Sequence, residues 1–179
     1  ETGTGTQQRR VKLDALQILL DASALGRNRS VIAEAGGGGV RAVVELELGA
    51  GEARGRDRRA TEMAFGVLFQ LCCCAEGREQ LLRHPGGVAV VAKRVLRVTA
   101  AVDDWGVGIL GLLCRFAGTP AAMREMAEVG AAAKIAAVAG SDGVGYYLKD
   151  KAKEILSAHG HAWRNSPCVP RSVRAEQTR

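Results

Sequence analysis

The stretch Ala60-Thr61-Glu62-Met63-Ala64-Phe65-Gly66-Val67-Leu68-Phe69-Gln70-Leu71 decides the fold. Ala60, Met63, Ala64, Val67, Leu68 and Leu71 fall at i, i+3, i+4, i+7, i+8 and i+11. That spacing is one face of an α-helix, with Arg59, Glu62 and Gln70 off it. The pair Leu68/Leu71 recurs as Leu110/Leu113 and again as Ala152/Ile155, in two steps of 42 residues. Leu19/Ala22 stands 49 residues before Leu68/Leu71, and the added length fits the Gly36–Gly39 run and the loop Gly49–Asp57.

Each unit repeats one order of parts. A short helical turn follows the long helix, at Ser30–Ala35, Glu79–Arg83 or Ala121–Val129. A glycine comes next, at Gly39, Gly87 or Gly130, where a left-handed backbone would let the chain turn sharply. A medium helix follows, at Val40–Leu48, Val88–Val98 or Ala131–Val138. The first two of these runs carry charges at helical spacing and lack the alternation of a strand. Thr119-Pro120 reads as cap and first-turn proline of a helix. Three helices per unit and a period near 42 are the armadillo-type range. The expected fold is therefore all-α, a right-handed α-solenoid of about three to four repeats over 11–163. A flexible end at 1–10 and a polar tail at 164–179 flank it, and Trp163 is expected to cap the last apolar edge. The competing reading is a non-repetitive helical bundle.

The 179 residues are 47% apolar but only 4% aromatic, so the core is made of thin, closely packed elements. No apolar run approaches the roughly 18 residues that a spanning helix needs, and no membrane association is expected. The chain begins at Glu1 without Met or a signal peptide, and reads as a piece of something longer. Five cysteines, three of them adjacent, make a poor disulfide framework and suit a reducing compartment. Lys+Arg 25 against Asp+Glu 19 gives a modest +6. The densest basic cluster, Arg54, Arg56, Arg58 and Arg59, is interrupted by Asp57 and has no interleaved aromatic ring. It reads as a solvated loop entering a helix, so no nucleic-acid partner is expected.

No residues assemble into a catalytic set. Adjacent helical positions point about 100° apart, so Cys72, Cys73 and Cys74 cannot converge on one metal ion. His84 sits before Pro85 in a turn, and His159 and His161 close the last helix. None of the three is spaced to activate a cysteine or serine nucleophile. Asp103 and Asp104 read as acids at a helix start. The Gly36–Gly39 run lacks the Lys-Ser/Thr of a phosphate loop and follows no strand. The reading assigns no catalytic residue, no metal and no cofactor.

The segment Cys72-Cys73-Cys74-Ala75-Glu76-Gly77-Arg78 resembles the C-x-C-A-E-G-R stretch of plant U-box ubiquitin ligases that carry armadillo repeats. Lys12-Leu13-Asp14-Ala15-Leu16-Gln17 resembles their K-x-D-A-L-x helix, and Val88–Lys93 their V-x-x-V-x-K helix. Tyr147–Cys168 resembles the closing helix and W-R-N-S-P-C tail of one subgroup. The resemblance covers roughly 11–170. It implies a U-box upstream that docks the ubiquitin-conjugating enzyme, with the repeats holding the target protein. It also implies defence or stress signalling, and a cytoplasmic location with the nucleus as a second compartment. Typical repeats of this kind carry Asn near the end of the long helix to grip an extended peptide. Here those positions hold Asp21, Gln70 and Leu112.

The expected function is a module recruiting target proteins for ubiquitination, acting by proximity. The alternative is an armadillo scaffold with no role in ubiquitin transfer. The expected partner surface is a concave groove lined by the long helices. With Leu68/Leu71 and their repeats facing the core, Gln17 and Asp21, Glu62 and Gln70, and Trp105 and Leu112 turn toward it. Replacing Trp105 and Leu112 together with Ala is expected to weaken target capture and leave the melting temperature nearly unchanged.

Overall fold

The computed structural model describes residues 2–35, 38–49, 57–164, 166 and 169. Ten α-helices follow one another, with no strand among the described residues. They are α1 (Thr2–Ala24), α2 (Gly26–Glu34), α3 (Gly39–Gly49), α4 (Arg58–Cys72), α5 (Ala75–Arg83), α6 (Gly87–Arg94), α7 (Ala100–Ala117), α8 (Pro120–Glu128), α9 (Ala131–Gly140) and α10 (Tyr146–His159). A 3-10 turn, Gly160–Trp163, follows α10. The order is long, short, medium, three times over, with α10 as a fourth long helix. The long helices stack as α1 on α4, α4 on α7 and α7 on α10. The short helices α2 and α5 pack together, as do α3 and α6, then α6 and α9. This is the all-α solenoid read from the sequence.

Local chemistry starts the helices where the sequence indicates. Asp57 caps α4, its Oδ1 accepting from the backbone N–H of Arg59 at 3.1 Å and of Ala60 at 3.4 Å. Thr99 caps α7 and Thr119 caps α8, with Pro120 in the first turn. The pairs Leu68/Leu71, Leu110/Leu113 and Ala152/Ile155 are all buried. Leu19/Ala22 is only half-buried, because α1 has a long helix on one side alone. Helix α1 already runs from Thr2, through residues expected to form a loose end, and its described side chains at 5–10 are exposed.

Several expected boundaries move. The short helices begin earlier than Ser30 and Glu79, at Gly26 and Ala75. The medium helix expected at Val88–Val98 stops at Arg94, and Leu96 adopts φ 60° although it is not glycine. The Asp103 carboxylate accepts from the Leu96 N–H, and Lys134 Nζ donates to the Val95 carbonyl at 2.9 Å. Tertiary hydrogen bonds thus hold a break that no Gly or Pro announces. Asp103 therefore serves the preceding loop as well as its own helix start.

The junction glycines also need correcting. Of the three, only Gly130 is left-handed, at φ 79°; at the first junction the positive φ, 86°, falls on Gly38 instead. Gly39 and Gly87 are the first residues of α3 and α6. A Cβ on Gly39 would lie 2.7 Å from the Ile32 carbonyl oxygen, and one on Gly87 would collide with the Leu81 carbonyl. Gly77 stands in the same relation to Leu71 at the start of α5. Close approach of two backbones requires these three glycines.

One ion pair lies inside the stack. Arg94 on α6 donates through Nε to Glu47 Oε2 at 3.1 Å and through Nη2 to the Glu47 carbonyl at 2.8 Å. Both residues are buried. At the far end Trp163 is buried, its indole Nε1–H donating to the Met123 carbonyl at 2.9 Å, so the 3-10 turn seals α8.

Candidate functional site

The long helices bring three small residues of α7 under their neighbours. Gly108 lies beneath the Phe69 ring from α4, and a Cβ there would be 2.7 Å from that ring. Gly111 lies beneath Ile155 of α10, whose Cδ1 would be 3.0 Å away. Gly106 admits Val95 and Phe65. Thin positions in one helix therefore seat bulky side chains of the two beside it. Phe69 in turn packs on Trp105, ring centroids 5.0 Å apart.

Between α4, α7 and α10 this leaves an open cleft of about 450 Å³. Its apolar lining includes Phe69, Leu112, Ile155 and Ala158. Its rim carries Arg115, Lys151, Glu154 and His159. Arg115 reaches Glu154 at 3.4 Å and Lys151 reaches Asp104 at 3.3 Å. Tyr147 is exposed at the same edge, with Lys151 Nζ 5.8 Å from its ring centre. The Arg115–Glu154 pair is exposed, so exchanging it for a partner's charges costs little, while Lys151–Asp104 is half-buried. An apolar floor with a polar, exchangeable rim can take an apolar side chain of another protein and orient the chain beside it.

Of the six residues expected to face a partner, only Leu112 lines this cleft. Trp105 and Leu112 are both half-buried and packed on the core. Their joint loss is therefore expected to cost stability as well as surface. Gln17 and Asp21 form an exposed pair on α1, the Gln17 Nε2–H donating to Asp21 Oδ1 at 2.9 Å. Glu62 is half-buried on α4. The Gln70 amide oxygen accepts from Arg29 at 2.6 Å, so it is engaged within the chain. Phe69, Arg115, Lys151 and Tyr147 were not among the expected residues, because the groove expected from the sequence ended at the third long helix and Phe69 had been placed on neither face.

The cysteine-containing motif is structural. Arg78 donates to the Cys72 carbonyl at 2.9 Å and lies 5.0 Å over the ring of Phe116 on α7. Gly77 lets α5 start against the end of α4, and the Cys74 thiol donates to the Leu71 carbonyl at 3.1 Å. Arg29, 49 residues earlier, does the same work. Its Nε donates to the Ser23 carbonyl at 2.9 Å and its Nη2 reaches Gln70 on α4. Each arginine closes the end of one long helix and ties it to the next. Burial pushes the Cys72 thiol far up and the Cys114 thiol up to about 12, which leaves both inert as nucleophiles. Arg54 and Arg56 lie outside the described residues, whereas Arg58 and Arg59 open α4 on its solvent side. No helix of the described residues is long and apolar enough to cross a membrane.

The family profile described as Plant U-box protein ARM repeat region matches residues 6–178. The chain belongs to that family. It is 44% identical over 156 residues to E3 ubiquitin-protein ligase PUB24 of Arabidopsis thaliana, covering 87% of this chain and 32% of that protein. It is 40% identical to E3 ubiquitin-protein ligase PUB22 of the same plant, over 89% of this chain and 35% of the relative. For E3 ubiquitin-protein ligase PUB23 the identity is 41%, over 89% and 38%. The chain thus spans about a third of the length of the curated relatives it matches. No solved structure matches it.

Proposed function

We propose that this chain is the target-recruiting part of a U-box ubiquitin ligase, holding a substrate while a U-box elsewhere in the polypeptide engages the ubiquitin-conjugating enzyme. The cleft between α4, α7 and α10 carries the reading, because it is an open apolar site on the face shared by the long helices. The names of the relatives support the ubiquitin side of it. Catalysis is then proximity: a captured target presents its lysines at high local concentration to the loaded enzyme. We place this activity in the cytoplasm, with the nucleus as a second site, and in defence or stress signalling, on the strength of the family resemblance.

The test fuses the chain to the U-box of one of the relatives. Proteins that the chain captures from plant extract are then offered to the fusion with activating and conjugating enzymes. Captured proteins should be ubiquitinated, and Leu112→Glu or Lys151→Glu should reduce both capture and ubiquitination at least tenfold while circular dichroism is preserved. Captured proteins that stay unmodified would favour the scaffold reading. Capture indifferent to both substitutions would remove the cleft from the account.

A further inference from the structure

The charges that frame the cleft between α4, α7 and α10 are unequal. Among the described residues that line it, Arg115, Lys151 and His159 stand against one carboxylate, that of Glu154. Lys151 marks one end. Asp104 holds it at 3.3 Å, and its Nζ would lie 3.3 Å from a Cβ on Gly108. Arg115 marks the other end, seven residues and two turns beyond Gly108 on α7, about 10.5 Å away. Its pair with Glu154 is loose, 3.4 Å long, with side chains 64% and 71% exposed. Arg115 also lies 6.0 Å over the Phe116 ring, which Arg78 covers at 5.0 Å. That end therefore carries two guanidinium groups and one exposed, weakly held carboxylate.

Between the two cations the floor is apolar and low. Phe69, Leu112 and Ile155 form it, and Gly108 and Gly111 add no side chain of their own. Aromatic residues are scarce in this chain, yet Phe69 lies on the floor, Tyr147 at the Lys151 end and exposed Phe116 beside Arg115. Exposed rings around an apolar floor are the composition of a binding surface.

We propose that the occupant of this cleft is an acidic segment of the target protein, with an apolar residue on the floor and carboxylates at Arg115 and Lys151, an inference that rests on the cleft being the recruiting site. Complementary charge selects it. A basic segment would meet Arg78, Arg115 and Lys151 with like charge, and an uncharged one would gain nothing from the rim. An extended chain covers the distance between the two cations in about three residues. Acids two to four positions apart, on either side of an apolar residue, thus reach both. Glu154 is then an internal competitor, holding Arg115 until a target carboxylate with better geometry displaces it. The pair is exposed, so that exchange costs little. Lys151 keeps Asp104 and accepts a second carboxylate, since an ammonium group has three donors.

The experiment offers a phage library of random peptides to the 179-residue chain. Retained sequences should carry an apolar residue flanked by Asp or Glu, and Leu112→Glu should lose them. The best of them, labelled with fluorescein, is then titrated by anisotropy. Glu154→Gln should bind it about three- to tenfold tighter, because the carboxylate competing for Arg115 is gone. Arg115→Glu should bind it at least about tenfold more weakly, and added salt should weaken the unaltered chain. Retention of basic or uncharged sequences, no retention at all, or a Glu154→Gln chain that binds no tighter would each overturn the proposal. Plant proteins whose capture still depends on Leu112 would then leave the recruiting role of the cleft intact, whereas capture indifferent to Leu112→Glu would remove both.

Discussion

Glu47 and Arg94 are the charged side chains that the stack encloses among the described residues, and they hold each other. A buried pair is fragile to loss of one partner, since the survivor keeps its desolvation cost without compensation. Glu47→Ala should therefore lower the unfolding free energy by about 3–5 kcal/mol in urea titrations, whereas Glu47→Leu with Arg94→Met should stay near wild type. The thiols give a second residue-scale test. Cys73 is exposed and should alkylate in the native state, while Cys72 and Cys114 should resist. The unfolded Cys114 thiol ionises near 9.0, while burial delays its ionisation in the folded state to about 12. The folded state thus retains a proton that the unfolded state releases. The stability this thiol contributes is whole below about pH 9 and is lost as the pH climbs toward 12. Cys114→Ala should make the alkaline decline shallower by about 1.4 kcal/mol per pH unit across that window. Little at this scale was legible beforehand. Arg94 looks like the solvated end of a helix until Glu47, 47 residues away, is placed beside it. Arg29 and Arg78 share a repeat position, but their work depends on carbonyls that only the folded backbone presents.

At the scale of elements, the apolar periodicity of Ala60–Leu71 and the twin steps of 42 residues were enough to find the long helices and their order. Boundaries were not, because they rest on long-range groups, as Lys134 and Asp103 do at the end of α6. Gly130 takes the positive φ expected of it, whereas Gly39 and Gly87 were found at the right places for the wrong reason. Their backbones touch the preceding helix, and a missing Cβ matters more there than a positive φ. Gly77→Ala and Gly87→Ala should each cost about 1–3 kcal/mol, since a carbonyl cannot move aside as a side chain can. Gly26→Ala, with nothing within 4 Å, should be neutral or stabilising by up to about 1 kcal/mol. Thermal melts of the three variants decide it, and equal losses in all three would refute the close-approach account. The cleft was half legible for a related reason. Leu112 follows from helical phase, but Lys151 and Tyr147 enter only once α10 is stacked against α7.

At the scale of the whole molecule, the proposed function assigns binding and chemistry to different parts of the polypeptide. Supplied with ubiquitin, activating enzyme and conjugating enzyme, the purified chain should build no ubiquitin chains over hours by immunoblot. Robust chain formation would mean that a reactive centre lies within the stack, against the burial that makes Cys72 and Cys114 inert. The family to which the chain belongs fits this division.

The arginine ties make the stack unevenly stiff. Arg29 and Arg78 lash the first two long helices to their successors, but the same position in the third repeat is Pro120, which has no side-chain donor. Helix α10 is joined to α7 by Ile155 over Gly111, by the exposed pair Arg115–Glu154 and by the half-buried pair Lys151–Asp104, at the cleft itself. Under tension such a spring stretches first at its softest coil. A bound protein tugging on this one would widen or narrow its own seat before it disturbed the helices behind.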